Sequence, residues 1–178
     1  IQLFLMDMQL FMPKSTFCNI SVLWRMPKNQ VDRGRLLDAF RTVIHNQPVL
    51  QSVIRIDPDV SFVQHYDPSL EPELAIEHLT EKELEEIKDD LIQPFIMINR
   101  LIYRIRIFET DDHIYVFIDL HHLFNDGTSM NILIRNLSDA YHGRPLPPDR
   151  AYLFARDSNK WIHTDEYEDA KNRMLEKY

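Results

Sequence analysis

Two alternating runs in the second half of the chain constrain the fold more than any other feature. Residues 101–108 and 113–122 alternate in polarity, and Glu109-Thr110-Asp111-Asp112 joins them. Alternation with a period of two is typical of a β-strand. A short polar connection between two such runs favours an antiparallel pairing. We therefore predict a β-hairpin, against which the rest of the chain must pack.

The other segments predict a mixture of strands and helices. Asp32 is a suitable N-cap for the second helix, and Thr80 with Glu83 can form a capping box for the third. Helices are predicted over 1–12, 32–47, 80–93, 128–142 and 165–178, and strands over 18–26, 49–57 and 60–66. This mixture indicates an α+β fold, a two-layer mixed β-sheet with packed helices.

Only three glycines occur against ten prolines, and no Gly/Ser linker or repeat marks a boundary. We therefore predict one continuous unit over residues 1–178. The chain opens on Ile1 rather than methionine, and we expect it to be a piece of a longer protein.

Composition excludes several classes of function. A net charge of −8 has the wrong sign for holding a nucleic-acid backbone. No apolar run is long enough to span a membrane. Cys18 is the single cysteine, which excludes an internal disulfide and predicts a reducing, cytoplasmic location.

The strongest candidate site follows the second strand of the hairpin, in the run His121-His122-Leu123-Phe124-Asn125-Asp126-Gly127. Because side chains alternate along a strand, His122 shares a face with Leu120, and we predict that it points toward the apolar interior. Burial would lower the pKa of this imidazole and keep it neutral. Such a group suits general-base activation of an amine or hydroxyl.

The neighbouring residues have predicted supporting roles. Asp126 can fix the loop by accepting hydrogen bonds from backbone amides or from a buried arginine. Gly127 can adopt a backbone conformation that a residue with a Cβ would resist. A metal site built from His121, His122 and Asp126 is disfavoured, because adjacent strand residues point to opposite faces. No serine nucleophile motif occurs, so direct transfer from a bound thioester is the simpler chemistry.

These residues resemble the His-His-x-x-x-Asp-Gly-x-Ser motif of condensation domains from nonribosomal peptide synthetases, within the chloramphenicol-acetyltransferase-like superfamily. Weaker similarity extends over nearly the whole chain, from Val31-Asp32 to Leu50 and from Pro94-Phe95 to Arg104. The resemblance implies the N-terminal lobe of such a domain, with the C-terminal lobe absent. It also implies an enzyme, an acyltransferase that forms an amide between a carrier-bound thioester donor and an amine acceptor.

Under this resemblance, His122 is the catalytic residue, His121 and Asp126 support it, Gly127 forms the turn, and the hydroxyl of Ser129 could cap the next helix. The implied partners are carrier proteins, the missing lobe and neighbouring synthetase domains, without nucleic acid or membrane. No cofactor or metal is expected on this chain, because the phosphopantetheine arm would belong to the carrier.

The chain departs from the family pattern at several positions. Ile44 and Gln51 replace two arginines, and Ile96 replaces an aspartate. The absence of tryptophan after Ser129 argues against epimerization, and the histidine pair argues against cyclization. Two alternatives therefore stay open: a free-standing acyltransferase that uses a soluble acyl thioester, and a degenerate, non-catalytic lobe that binds a carrier protein.

Overall fold

The structure is a computed structural model that describes residues 2–59, 62–151, 157 and 160–176. It divides the chain into two compact units, Ile1–Leu146 and Pro147–Tyr178, where the sequence predicted one continuous unit. The boundary falls among Pro145, Pro147 and Pro148. Proline lacks a backbone donor and has a restricted φ, so this segment does not continue a helix or a strand across the boundary.

A four-stranded sheet organises the first unit. The strands of the unit are β1 (Asn19–Pro27), β2 (Ser52–Ile56), β3 (Phe62–Tyr66), β4 (Ile76–His78), β5 (Tyr103–Glu109) and β6 (His113–His121). The sheet has the order β1-β6-β5-β4, with β6 antiparallel to both β1 and β5, and β4 parallel to β5. Strands β2 and β3 form a separate antiparallel pair. Both predicted hairpins are confirmed, whereas β4 was not predicted.

The helices are α1 (Gln2–Phe11), α2 (Arg33–Asn46), α3 (Glu81–Ile87), α4 (Gly127–Tyr141) and α5 (Asp165–Leu175). Short 3-10 turns lie at Lys28–Gln30, Pro48–Gln51 and Lys88–Asp90. The predicted Asp32 cap of α2 and the Thr80–Glu83 capping box of α3 are both present. The predicted ends of the first and last helices at Ile1 and Tyr178 lie outside the described residues. None of the described helices is long and apolar enough to cross a membrane.

Strand β6 is covered on both faces. One face carries Ile114, Val116, Ile118 and Leu120 into the main core, which contains buried side chains of α2 and α4. On the other face, Phe117 packs with Phe108 and with Leu84 of α3, while Phe95 lies edge-on to His121. Helix α1 contributes Met6 to a third cluster, which also contains Phe95 and Leu123. Because both faces of β6 are covered, the alternation of side chains does not predict which of the two histidines at its end is buried.

Candidate functional site

The candidate site is the turn that leads from β6 into α4, and backbone hydrogen bonds hold its start. The amide of His121 donates to the carbonyl of Ile102 at 2.9 Å, and the amide of His122 donates to the carbonyl of Cys18 at 2.8 Å. Cys18 lies just before β1, whereas the predicted strand included it. The turn is thus clamped between the segments that precede β1 and β5.

The orientation of the two histidines is opposite to the prediction. His121 is fully buried, whereas His122 is exposed. The prediction failed because β6 ends at His121 and both of its faces are covered, so alternation does not identify the exposed side. Burial, followed by the nearby His122, lowers the pKa of His121 to about 4. The neutral, buried imidazole is therefore His121.

The hydrogen bonds of His121 define its tautomer. Its Nδ1 accepts the amide proton of Leu123 at 3.0 Å, so Nδ1 carries no hydrogen. Its Nε2 lies 3.3 Å from Oε1 of Gln9 and must be the protonated nitrogen. His121 therefore connects α1 to the turn that carries His122.

The imidazole of His122 stands at the surface of the unit, at the end of the central strand. Within the described part of the chain this ring has no hydrogen-bond partner, and the residue is exposed. An imidazole is a side chain that can act as a general acid or base. The two rings differ in burial, and no group of three candidate metal ligands occurs among the described residues.

Asp126 fixes the far end of the turn as the N-cap of α4. Its Oδ1 accepts the backbone amide of Ser129 at 2.7 Å and the Ser129 hydroxyl at 2.8 Å. These two bonds lower the pKa of the Asp126 carboxyl, with smaller contributions from the amide of Thr128 and from His122. Bonding to backbone amides was predicted. The prediction that Ser129 itself caps the helix was wrong, because Ser129 is the donor.

Gly127 does not need the conformational freedom predicted for it. It is the first residue of α4, its φ is not positive, and a Cβ built on it would meet nothing within 4 Å. Among the described residues, positive φ angles occur at Asn99 and Gly143 and not at Gly127. What Gly127 provides is open space beside the start of the helix.

A buried polar network beside the histidines was missed in the sequence. Asp119, fully buried and two residues before His121 on the same face of β6, accepts hydrogen bonds from Ser21 at 2.8 Å and Asn19 at 2.9 Å. Burial raises the pKa of this carboxyl, and Ser21, Arg104 and Asn19 oppose the increase. The guanidinium of Arg104 lies 3.5 Å from Asp119 and 4.1 Å from the centre of the Phe95 ring. The presence of Asp119 in an otherwise apolar strand was the feature of the sequence that could have predicted this network.

Gln51, at a position where the family pattern has an arginine, serves a different part of the fold. Its side chain is buried and donates to the carbonyls of Pro68 at 2.8 Å and Leu70 at 3.3 Å. It therefore holds the segment after β3. The polar partners of Asp126 are supplied by the start of its own helix.

Comparison with known proteins identifies the family. The family model for the condensation domain matches residues 2–172. Gramicidin S synthase 2 of Aneurinibacillus migulanus is 27% identical over 160 residues, which are 85% of this chain and 4% of that protein. Surfactin synthase subunit 2 of Bacillus subtilis (strain 168) is 31% identical over 121 residues, covering 67% of this chain and 3% of that protein.

Solved structures have the same fold. The starter condensation domain of rhizomide synthetase superposes with a TM-score of 0.82 at 13% identity, covering 99% of this chain and 46% of that chain. A four-domain nonribosomal peptide synthetase bound to AMP and glycine gives 0.69 at 21% identity, covering 79% and 11%. The chain belongs to the condensation domain family, and its α+β fold is that of such domains. It spans a small part of the curated relatives and less than half of the solved condensation domain.

Proposed function

We propose that this chain is the N-terminal, histidine-bearing lobe of a nonribosomal peptide synthetase condensation domain that forms an amide bond. The observation that carries the proposal is the exposed His122 at the end of β6, on a turn fixed at both ends. Family membership supports it, as do relatives named as synthases of gramicidin S and surfactin.

The reaction requires one proton acceptor beside the acceptor amine. The amine nitrogen attacks the thioester carbonyl, a C–N bond forms, and the C–S bond breaks. His122 would take the proton that the amine loses and return it to the departing thiolate. The exposed position suits this role, because the ring can meet two substrates without displacing core side chains. Asp126 and His121 would hold the turn without touching the reacting atoms.

The proposed partners follow from the same chemistry. The donor and acceptor would arrive as thioesters on carrier proteins, whose phosphopantetheine arms supply the thiols. A second lobe would complete the site, since His122 is open to solvent in this lobe. The cytoplasmic location expected from the single cysteine stays a prediction.

The test is single-turnover amide formation by the full-length protein, with a labelled donor on its carrier. His122→Ala should lower the rate by about 10²- to 10⁴-fold, the usual contribution of a general base. The matched control is His78→Ala. His78 is also exposed but lies on β4 opposite Glu109, at the other end of the sheet.

The control variant should keep the rate of the unmodified protein. Circular dichroism and the unfolding midpoint should be unchanged in both variants, because neither side chain is part of the core. An unchanged rate in His122→Ala would remove the proposed catalytic role. It would favour a lobe that only binds a carrier.

A further inference from the structure

We infer that Gln9 of α1 is a positioning residue: through its hydrogen bond to His121 it selects the tautomer that holds the His122 turn. This inference rests on the proposed function for its effect on catalysis. The hydrogen bonds that support it can be tested without a reaction.

The side-chain amide of Gln9 can satisfy its hydrogen bonds in only one of its two orientations. The side chain is 2% exposed, and its Nε2 lies 3.1 Å from the carbonyl oxygen of Ser15 and 3.5 Å from that of Met12. Carbonyl oxygens only accept hydrogen bonds, so the amide nitrogen of Gln9 must face them. Its Oε1 therefore faces His121 as an acceptor.

The acceptor on Gln9 determines which nitrogen of His121 is protonated. Oε1 requires a proton on Nε2, which leaves Nδ1 free to accept the amide of Leu123. In the other tautomer, the Nδ1–H of His121 would face the N–H of Leu123, so that two donors would meet. On the opposite side of the ring, the unprotonated Nε2 would face Oε1 of Gln9, so that two acceptors would meet. The hydrogen bonds thus run in one direction, from Leu123 through His121 and Gln9 to Ser15.

This relay explains why His121 must stay neutral. A proton on both ring nitrogens would place two donors against each other at the Leu123 contact, one residue after His122. The turn would then lose the bond that orders it. Of the charged groups, His122 acts on the pKa of His121. Asp119 shares its face of β6, with Arg104 of β5 3.5 Å from that carboxylate, and Asp7 is the one ionisable residue of α1 and is exposed.

Two substitutions at Gln9 separate the acceptor from the packing. Gln9→Glu keeps the shape but adds a carboxylate that favours the protonated ring. Gln9→Met keeps the length and removes both the acceptor for His121 and the amide donor to Ser15. Gln64→Glu on β3, where the side chain is exposed, adds the same charge away from the site and serves as the matched control.

The first measurement is ring 15N NMR of this chain with labelled histidine, assigned with a His121→Asn variant. Unmodified protein should show His121 with the proton on Nε2. Gln9→Glu should raise the pH at which the ring titrates by one unit or more, and Gln9→Met should reduce the population of the Nε2–H tautomer. A proton on Nδ1 in the unmodified chain, or titration and tautomer unchanged in both variants, would overturn the inference.

The second measurement is the pH profile of amide formation by the full-length protein. Gln9→Glu should move the acid limb to higher pH, whereas Gln64→Glu should leave it in place. Gln9→Met should lower kcat by up to about 100-fold, the cost of misplacing a catalytic group, with the KM for the loaded carriers unchanged. Equal kcat and an unshifted acid limb in both Gln9 variants would contradict the positioning role.

The two measurements distinguish the possible failures. If the unmodified full-length protein forms no amide, the proposed function fails, and the NMR titration still decides whether Gln9 sets the tautomer. If Gln9→Met does not fold, the titration of the His121 ring in the near-isosteric Gln9→Glu variant still tests whether Gln9 sets the tautomer.

Discussion

Adjacent histidines in this chain have opposite surroundings, and this difference separates their roles. His121 is enclosed by Gln9, Phe95 and the backbone of Leu123. His122 faces solvent. The buried ring accepts the amide of Leu123 within the turn, and the exposed ring lies at the surface. Their effects on stability should therefore differ with pH.

We predict that protonation of His121 destabilises the fold as the pH falls from about 6.5 to about 4. Its pKa is lowered to about 4 by burial, from an ordinary value of 6.5, so the unfolded chain binds this proton more readily than the folded one. The contribution should be fully present above pH 6.5, be lost progressively, and level off below pH 4. The loss is on the order of 3 kcal/mol of unfolding free energy.

Urea unfolding of the unmodified chain and of His121→Asn at pH 7, 5.5 and 4.5 measures this loss. The variant should be less stable at pH 7, because the Leu123 amide loses its ring acceptor. Its stability should also change less between pH 7 and pH 4.5. Parallel pH curves for the two proteins would show that another group causes the loss.

At the scale of elements, the glycines at the two ends of α4 provide a matched pair. Gly143 follows the helix with a φ of +70°, in the left-handed region, whereas Gly127 opens it without positive φ. Gly143→Ala should cost about 1 kcal/mol of unfolding free energy. Gly127→Ala should be neutral or slightly stabilising, because alanine has the higher helix propensity.

Chemical denaturation of both variants measures the difference. A loss at Gly127 as large as that at Gly143 would show a backbone requirement at the start of α4. If Gly127→Ala leaves the unfolding free energy unchanged but lowers the rate of amide formation by the full-length protein, a substrate uses the open space beside the start of α4.

Local signals predicted most of the elements. Both hairpins, the caps at Asp32 and Thr80, and the left-handed Gly143 after α4 are encoded by residues close in sequence. Helix α4 was predicted from apolar residues at helical spacing, yet within it Ile132 is 40% exposed whereas Met130 is buried. Period alone leaves the edges of such a stripe uncertain by one residue.

Long-range partners account for what the sequence did not predict. Strand β4 has three residues and exists because β5 pairs with it in parallel. The orientation of the histidine pair depends on α1 and on Phe95, which cover the second face of β6. The acceptor on Gln9 is separated from His121 by 112 positions. None of these contacts leaves a periodic or local pattern.

At the scale of the whole molecule, apolar side chains remain exposed on and after α1. Phe4, Phe11 and Phe17 are 64%, 86% and 79% exposed. Large exposed apolar side chains favour association. We predict that the isolated chain self-associates at high concentration, and that Phe11→Ser with Phe17→Ser increases the monomer fraction in light scattering.

The matched control is Met174→Ser with Leu175→Ser on α5, where the side chains are 68% and 69% exposed. If the control pair restores the monomer and the phenylalanine pair does not, the associating surface lies on the second unit. A monomer in the unmodified chain at high concentration would contradict the prediction.

The contacts of α1 also affect how the chain is made. Gln2 bonds the carbonyl of Leu123, 121 positions later, and Gln9 bonds His121. On the ribosome, α1 emerges before β6 and cannot reach these partners until β6 and the turn have been synthesised. During that interval the apolar side chains of α1 lack these partners, and unpartnered apolar surface favours aggregation. The turn that carries His122 is consequently completed only after both α1 and β6 have left the ribosome.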